Sequence, residues 1–173
     1  MDAPEPASFH DHFVALFHVH FPRLYRYLDR LSGDPALAAD VAQETFFRLY
    51  RRGALPDAPE AWLISVALNL FRNVKSSQSR RSRLLTQARS EAVLSDPAPA
   101  PDQTLVAEES RRRVRSAINR LPERERRLLL LRAEGYSYRD MAEALDLNEA
   151  SIGTLLARAR AAFRECYEDH DAP

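Results

Sequence analysis

The chain is poor in cysteine, glycine and tryptophan: among 173 residues there are one cysteine, four glycines and one tryptophan. A lone thiol, Cys166, leaves no internal disulfide to form and fits a reducing compartment. Its expected place is half-buried, near the end of the last helix. Runs of β-branched residues are missing too, and Arg, Ala, Leu and Glu dominate, a composition that favours helices. No apolar run approaches membrane-spanning length. The opening MDAPEPASF is acidic and proline-bearing, without the basic start and apolar core of a secretory signal. A soluble, cytoplasmic protein is expected. There is no phosphate-cradling glycine loop, nucleophile elbow or HExxH pattern. No catalytic residue and no cofactor are therefore expected, and the chain does not read as an enzyme.

Net charge is absent as well, since 25 basic residues balance 25 acidic ones, but the average hides a segregation. Residues 1–60 carry nine acids against six bases, and from Thr104 onward the count is thirteen of each. Between Ala61 and Ser90 there are six bases (Arg72, Lys75, Arg80, Arg81, Arg83, Arg89) and no acid. A surface suited to a polyanion is thus local and sits mid-chain.

What is present is helical periodicity. Phe9, Phe13, Leu16, Phe17, Leu24, Tyr25, Leu28 and Leu31 define a first amphipathic helix, expected to loosen or break near Pro22. SGDP stops it, with Asp34 as cap and Pro35 at the first position of a second helix running to about Arg51. That helix buries Leu37, Val41, Phe46 and Leu49. Pro59 opens a third, through Trp62, Leu63, Val66, Leu70 and Val74, which continues into the basic stretch. Trp62 reads as a core anchor from its spacing with Val66 and Leu70. SEAVLSDPAPAPDQ follows, with three prolines in five residues enforcing extended, solvated backbone. The expected organisation is all-α: a helical domain over residues 8–89, a Pro-rich flexible linker over 90–103, and a second helical domain over 104–169. Helices are expected in the second domain from about Thr104 to Arg120 and from Pro122 to Glu134, the latter closed by Gly135.

The stretch SYRDMAEALDLNEASIGTLLARAR then reads as a helix-turn-helix. Ser137 caps its first helix and Asp140 completes a capping-box pattern, while Met141, Ala142 and Leu145 face inward. Asn148 caps the second helix, where Ile152, Leu156, Ala159 and Phe163 share one arc at about 100° per residue. Ser151, Thr154, Leu155 and Arg158 fall on another face, free to enter a DNA major groove.

Two segments carry a family resemblance. LYRYLDRLSGDPALAADVAQETFFRLYRR with AWLISVALNLFRN resembles the first conserved domain of a bacterial RNA polymerase sigma factor. LPERERRLLLLRAEGYSYRDMAEALDLNEASIGTLLARAR resembles the last. With only a short linker between them, the chain resembles the extracytoplasmic-function (ECF) class of the sigma-70 family. The resemblance implies binding to core RNA polymerase through Asp34, Asp40, Gln43, Glu44 and Phe47, which would meet the clamp helices of the largest subunit. It implies capture of the melted −10 promoter region by Arg51, Arg52, Asn69, Arg72, Asn73, Lys75, Arg80 and Arg81. Bases of this kind track phosphates, and amides hydrogen-bond base edges. The last domain would meet the polymerase flap and read the −35 element through Tyr138, Arg139, Ser151, Thr154, Leu155 and Arg158, with Arg158 suited to guanine or phosphate and Leu155 to a thymine methyl. The chain departs from the family pattern at Gly153 and Leu155, where relatives often carry bases, and at Leu68, where many place an arginine. The reading face is therefore poor in charge, and tight autonomous duplex binding is not expected.

Folded domains on a tether also suit clamping by an anti-sigma factor. Two other readings stand beside this one: a stand-alone helix-turn-helix regulator, and a sigma-like adaptor or decoy that binds polymerase and starts nothing. His10, His12, His18 and His20 suggest a metal cluster, but on a helix they point at about 0°, 200°, 80° and 280° and cannot converge. No metal site is expected.

Overall fold

The computed structural model describes residues 8–86 and 105–169, with side chains described for 8–77 and 108–169. The linker over 90–103 lies outside them. The described residues form seven helices and no strand: α1 (Phe9–Ser32), α2 (Pro35–Arg52), α3 (Pro59–Thr86), α4 (Leu105–Arg120), α5 (Glu123–Ala133), α6 (Tyr138–Leu145) and α7 (Glu149–Glu168).

Local chemistry sets the helix ends. The Asp34 carboxylate accepts from the Leu37 amide at 3.0 Å, and Pro35 begins α2 where a missing N–H costs nothing. Ser137 and Asp140 form the reciprocal capping box at the start of α6. The Asn148 side chain accepts from Ala150 N at 2.9 Å to start α7. Gly135 lies just beyond α5 at φ +82°, a left-handed conformation that glycine adopts without a Cβ penalty.

The first helix does not break at Pro22. It runs unbroken from Phe9 to Ser32 with the proline inside. The lost N–H leaves one carbonyl without its donor, at His18 four residues earlier. Both His18 and Pro22 are exposed, so the gap in the ladder falls on the outer side of the helix and not in the core. Packing on either side of the proline holds the axis. Phe17 and Phe21 meet Phe46 at ring-centroid distances of 5.1 and 5.7 Å, and Leu24, Tyr27 and Leu28 are fully buried beyond it. The four histidines of α1 face four different partners. His10 stands edge-on to Tyr50, His12 is 3.1 Å from the Ser8 carbonyl, His18 stands edge-on to Phe17, and His20 turns inward toward Glu60.

Helices α1, α2 and α3 pack together around Leu24, Leu28, Val41, Phe46, Leu49, Leu63, Ile64 and Ala67. Burying a side chain of this size contributes about 1.5–3 kcal/mol. Thr45, fully buried, donates its hydroxyl to the Val41 carbonyl at 2.7 Å and so carries no unpaired polar group. Trp62 is half-buried against this core. Helices α4 to α7 pack around Leu128, Leu131, Tyr136, Met141, Ile152 and Leu156, with α5, α6 and α4 all resting on α7. Cys166 is half-buried on the last helix. The two groups of helices also touch: α6 lies on α3 and α5 on α1, and the buried residues of both form one continuous cluster.

Candidate nucleic-acid interface

Three surfaces emerge from this scaffold. The first is the outer face of α2. Asp40, Gln43, Glu44 and Phe47 recur at spacings of three and four, which sets them on one stripe. Asp40, Gln43 and Phe47 are exposed, while Glu44 is half-buried and accepts from Arg48 Nε at 2.8 Å. Asp34 stands at the start of the helix with its carboxylate engaged as the cap. Phe47 is 54% exposed, more than any other aromatic described, and the Arg51 guanidinium lies 5.7 Å from its ring centroid. Tyr50, not singled out from sequence, extends the stripe. It is 49% exposed, with its ring 5.1 Å from Phe13. Its position three residues after Phe47 was the available signal.

The second surface is the basic length of α3. Asn69, Arg72 and Asn73 share one face and are exposed, with Arg72 donating to Asn69 Oδ1 at 3.3 Å. Lys75 is exposed on a different face, its ammonium 5.0 Å from the Phe71 ring centroid. Arg51 and Arg52 end α2 in solvent, just before Gly53. Arg80 and Arg81 lie on α3, but their side chains are outside those described. Cations and amides along one helix, with no acid of that helix among them, suit a nucleic-acid strand. Leu68 is not part of this surface. It is 3% exposed and packs under α6.

The third surface is the outer side of the helix-turn-helix. Thr154 and Arg158 stand exposed on α7, and Arg139 on α6. The Tyr138 ring is 38% exposed and lies across Gly153, its Cε2 3.7 Å from where a Cβ would sit. The tyrosine thus packs beside Gly153 at ordinary contact distance, with the Arg132 guanidinium 5.6 Å from its ring centroid. Two residues expected on the free face are partly engaged elsewhere. Ser151 donates to the Asn148 carbonyl at 2.7 Å, and Leu155 is half-buried against the core. Leu155 thus stands at the edge of the reading face instead of its centre, because the apolar arc of α7 is wider than the four residues assigned to it.

Between the two groups of helices lies a polar seam. Arg23, Arg26 and Arg30 project from α1 at helical spacing toward the turn that follows α5. Arg23 Nε donates to the Glu134 backbone carbonyl at 2.7 Å, and its guanidinium lies 3.7 Å from the Tyr136 ring centroid. Arg26 Nε donates to Glu134 Oε2 at 2.9 Å, while Arg30 Nη1 pairs with Oε1 at 2.7 Å. The Glu134 side chain is only 4% exposed. Burial pushes the Tyr136 phenol above its ordinary range, although the neighbouring Arg23 charge pulls the other way. Sequence reading missed this cluster, since its partners lie more than 100 residues apart.

A three-helix unit with a basic third helix, joined to a helix-turn-helix unit, defines an all-helical protein of DNA-facing type. The comparisons with known proteins narrow that class: residues 16–81 match the family model Sigma-70 region 2, and residues 111–163 match Sigma-70, region 4. The chain belongs to the sigma-70 family, among its ECF members. It is 30% identical over 158 residues to the ECF RNA polymerase sigma factor SigE of Mycolicibacterium smegmatis, covering 88% of this chain and 60% of that protein. Against the RNA polymerase sigma-H factor of Pseudomonas aeruginosa it is 32% identical over 146 residues, covering 78% of this chain and 75% of the relative. The chain spans only 35% of another similar protein, the probable RNA polymerase sigma factor RfaY of Xanthomonas campestris. The sigma factor RpoE of Bartonella quintana, solved with the anti-sigma factor NepR, shares the fold. Its TM-score is 0.67 at 22% identity, covering 91% of this chain and 97% of that one.

Proposed function

We propose that this protein is an ECF sigma factor that binds core RNA polymerase and directs it to a two-element promoter for transcription initiation. The observation that carries this reading is the presence in one chain of three separate surfaces: the exposed stripe on α2, the basic length of α3 with no acid of that helix among its cations, and the helix-turn-helix. A stand-alone regulator needs only the last of these. Residues 8–89 would form the polymerase- and −10-binding domain, 90–103 the linker, and 104–169 the −35-binding domain.

In this division Asp40, Gln43, Glu44 and Phe47, with Asp34 at the helix start, dock on the clamp helices of the largest subunit. An acidic stripe centred on an exposed aromatic suits a basic helical partner. Asn69, Arg72, Asn73 and Lys75, with Arg51, Arg52, Arg80 and Arg81, hold the opened −10 strand. Tyr138, Arg139, Thr154 and Arg158 meet the −35 duplex, with Ser151 and Leu155 at its margin, and the same domain meets the flap. The polymerase supplies the chemistry, and the protein itself is no enzyme. Among the described residues no helix is long and apolar enough to cross a membrane, and the work proposed places the protein in the cytoplasm. RpoE was solved with NepR and CnrH with the cytosolic domain of CnrY, which supports an anti-sigma factor as a further partner here.

Run-off transcription tests the proposal. Core polymerase plus the chain, on a library of promoter-region fragments, is expected to yield discrete transcripts absent with core alone. Absence of any transcript, with binding to core intact, would leave the decoy reading in its place. Arg158→Ala is expected to lower transcription about tenfold at promoters that depend on the upstream element, since one bidentate base contact contributes about 1–3 kcal/mol. Core binding is expected to stay unchanged, and its loss would show the division of surfaces to be wrong.

A further inference from the structure

Charge on α2 is divided about Phe47. Both acids of the helix, Asp40 and Glu44, precede that residue, and all three bases, Arg48, Arg51 and Arg52, follow it. The helix dipole alone does not account for this, since its effect fades within the terminal turns and Glu44 lies mid-helix. Arg48 pairs with Glu44 at 2.8 Å, whereas Asp40 and Arg51 make no ion pair among the described residues. Between the two halves Phe47 is 54% exposed, with Tyr50 at 49% one turn further on. The Tyr50 ring is held from one side, 5.1 Å from Phe13, 6.1 Å from Phe9 and edge-on to His10 at 6.5 Å. A side chain steadied in this way loses little freedom when a partner covers its open side.

A stripe of this kind complements its own reverse. When two copies of α2 lie antiparallel and cross at Phe47, each residue before the crossing in one copy meets the residue equally far after it in the other. Gln43 then faces Arg51, Glu44 faces Tyr50 with Arg51 beside it, and the two Phe47 rings meet on the axis. The contact is isologous, so each of these pairings occurs twice. Parallel helices would instead set like charges opposite each other, which disfavours that orientation. We propose that the chain pairs with a second copy of itself through antiparallel α2 helices crossing at Phe47, so that self-association and polymerase docking compete for one stripe. Aromatic rings at the centre and charges at the rim give a small, reversible interface. The pairing stands on the geometry of α2, while the competition rests on the function proposed above.

Sedimentation velocity across a wide concentration series tests the pairing, with circular dichroism confirming that each variant stays folded. The native chain is expected to pass from monomer to dimer as concentration rises. Glu44→Arg, Arg51→Glu and Phe47→Ala are each expected to remain monomeric, while Glu165→Arg, the same charge reversal on α7, associates like the native chain. Mixing the first two variants is the decisive step. Each reversed position then faces the other, Arg51 of the first chain faces Glu44 of the second, and a heterodimer is expected to form where neither variant pairs alone. Energy transfer between amino-terminally labelled donor and acceptor chains detects it. A native chain that stays monomeric throughout, or a dimer that survives all three α2 variants, would overturn the proposal. Monomeric variants that fail to pair when mixed would overturn the antiparallel register. Core polymerase added to the labelled native dimer is expected to abolish the energy transfer, and a dimer bound intact to core would overturn the competition. Failure of the sigma reading looks different, as a native chain that dimerises as described and never binds core.

Discussion

Phe47→Ala is expected to weaken binding to core RNA polymerase by about 30-fold or more while leaving the thermal midpoint within about a degree of the native value. The ring is 54% exposed on α2, flanked by Gln43 and Glu44 on the same stripe, and buries nothing that the fold requires. Its expected contribution is to a partner. An aromatic anchor at the centre of an interface typically costs at least about 2 kcal/mol when truncated, and about 1.4 kcal/mol corresponds to a factor of ten. Competition binding against core polymerase measures the affinity, and thermal unfolding followed by circular dichroism measures the fold. Unchanged affinity would remove the α2 stripe from the polymerase interface. A large fall in the midpoint would show that Phe47 belongs to the core instead.

The adjacent residue is expected to behave in the opposite way. Phe46 is 2% exposed and stands at the junction of α1 and α2, with the rings of Phe13, Phe17 and Phe21 at 6.3, 5.1 and 5.7 Å. Removing it leaves a cavity among three aromatic rings that line the turns of α1 leading up to Pro22. Truncating a buried phenylalanine typically costs about 3–5 kcal/mol. For a chain of this size each kcal/mol lowers the midpoint by about 2–4 °C. Phe46→Ala should therefore lower it by roughly 6–20 °C. A fall of under about 2 °C would mean that α1 is not packed on α2 as described. The two neighbours separate folding from docking, since a helix turns by about 100° from one residue to the next.

Which parts of the molecule could be read from sequence follows from the range of the interactions that make them. Helix ends rest on groups two or three residues apart, and those at Asp34, Ser137, Asn148 and Gly135 were legible for that reason. Buried stripes rest on periodicity, so Val41, Phe46 and Leu49 in α2, and Ile152, Leu156 and Ala159 in α7, fall inside as expected. Pro22 misled because its local cost was visible and the compensating aromatic packing against Phe46 was not. Leu155 was given wholly to the free face because a four-residue arc was too narrow an estimate of what α7 buries. The seam was illegible for a stronger reason. Nothing near Glu134 in sequence announces three arginines from α1, and nothing near Leu68 announces α6. A Pro-rich linker leaves open whether the flanking helices touch, and in the structure the two groups share one continuous core.

The structure also gives the departures at Leu68 and Gly153 a physical setting. Leu68 is 3% exposed in the contact between α3 and α6, where a longer arginine side chain would have to push the two helices apart or reach out to the rim of the contact. Gly153 lies beneath the Tyr138 ring, so the tyrosine and not a basic side chain presents the surface there.

The most direct measurement is competition for core RNA polymerase between the purified chain and a well-characterised sigma factor. Displacement of that sigma factor in a concentration-dependent manner, with Phe47→Ala failing to displace it at matched concentrations, is the expected result. A folded native chain that leaves the competitor fully bound would contradict the assignment of α2 as a polymerase-docking surface, and with it the role proposed for this protein.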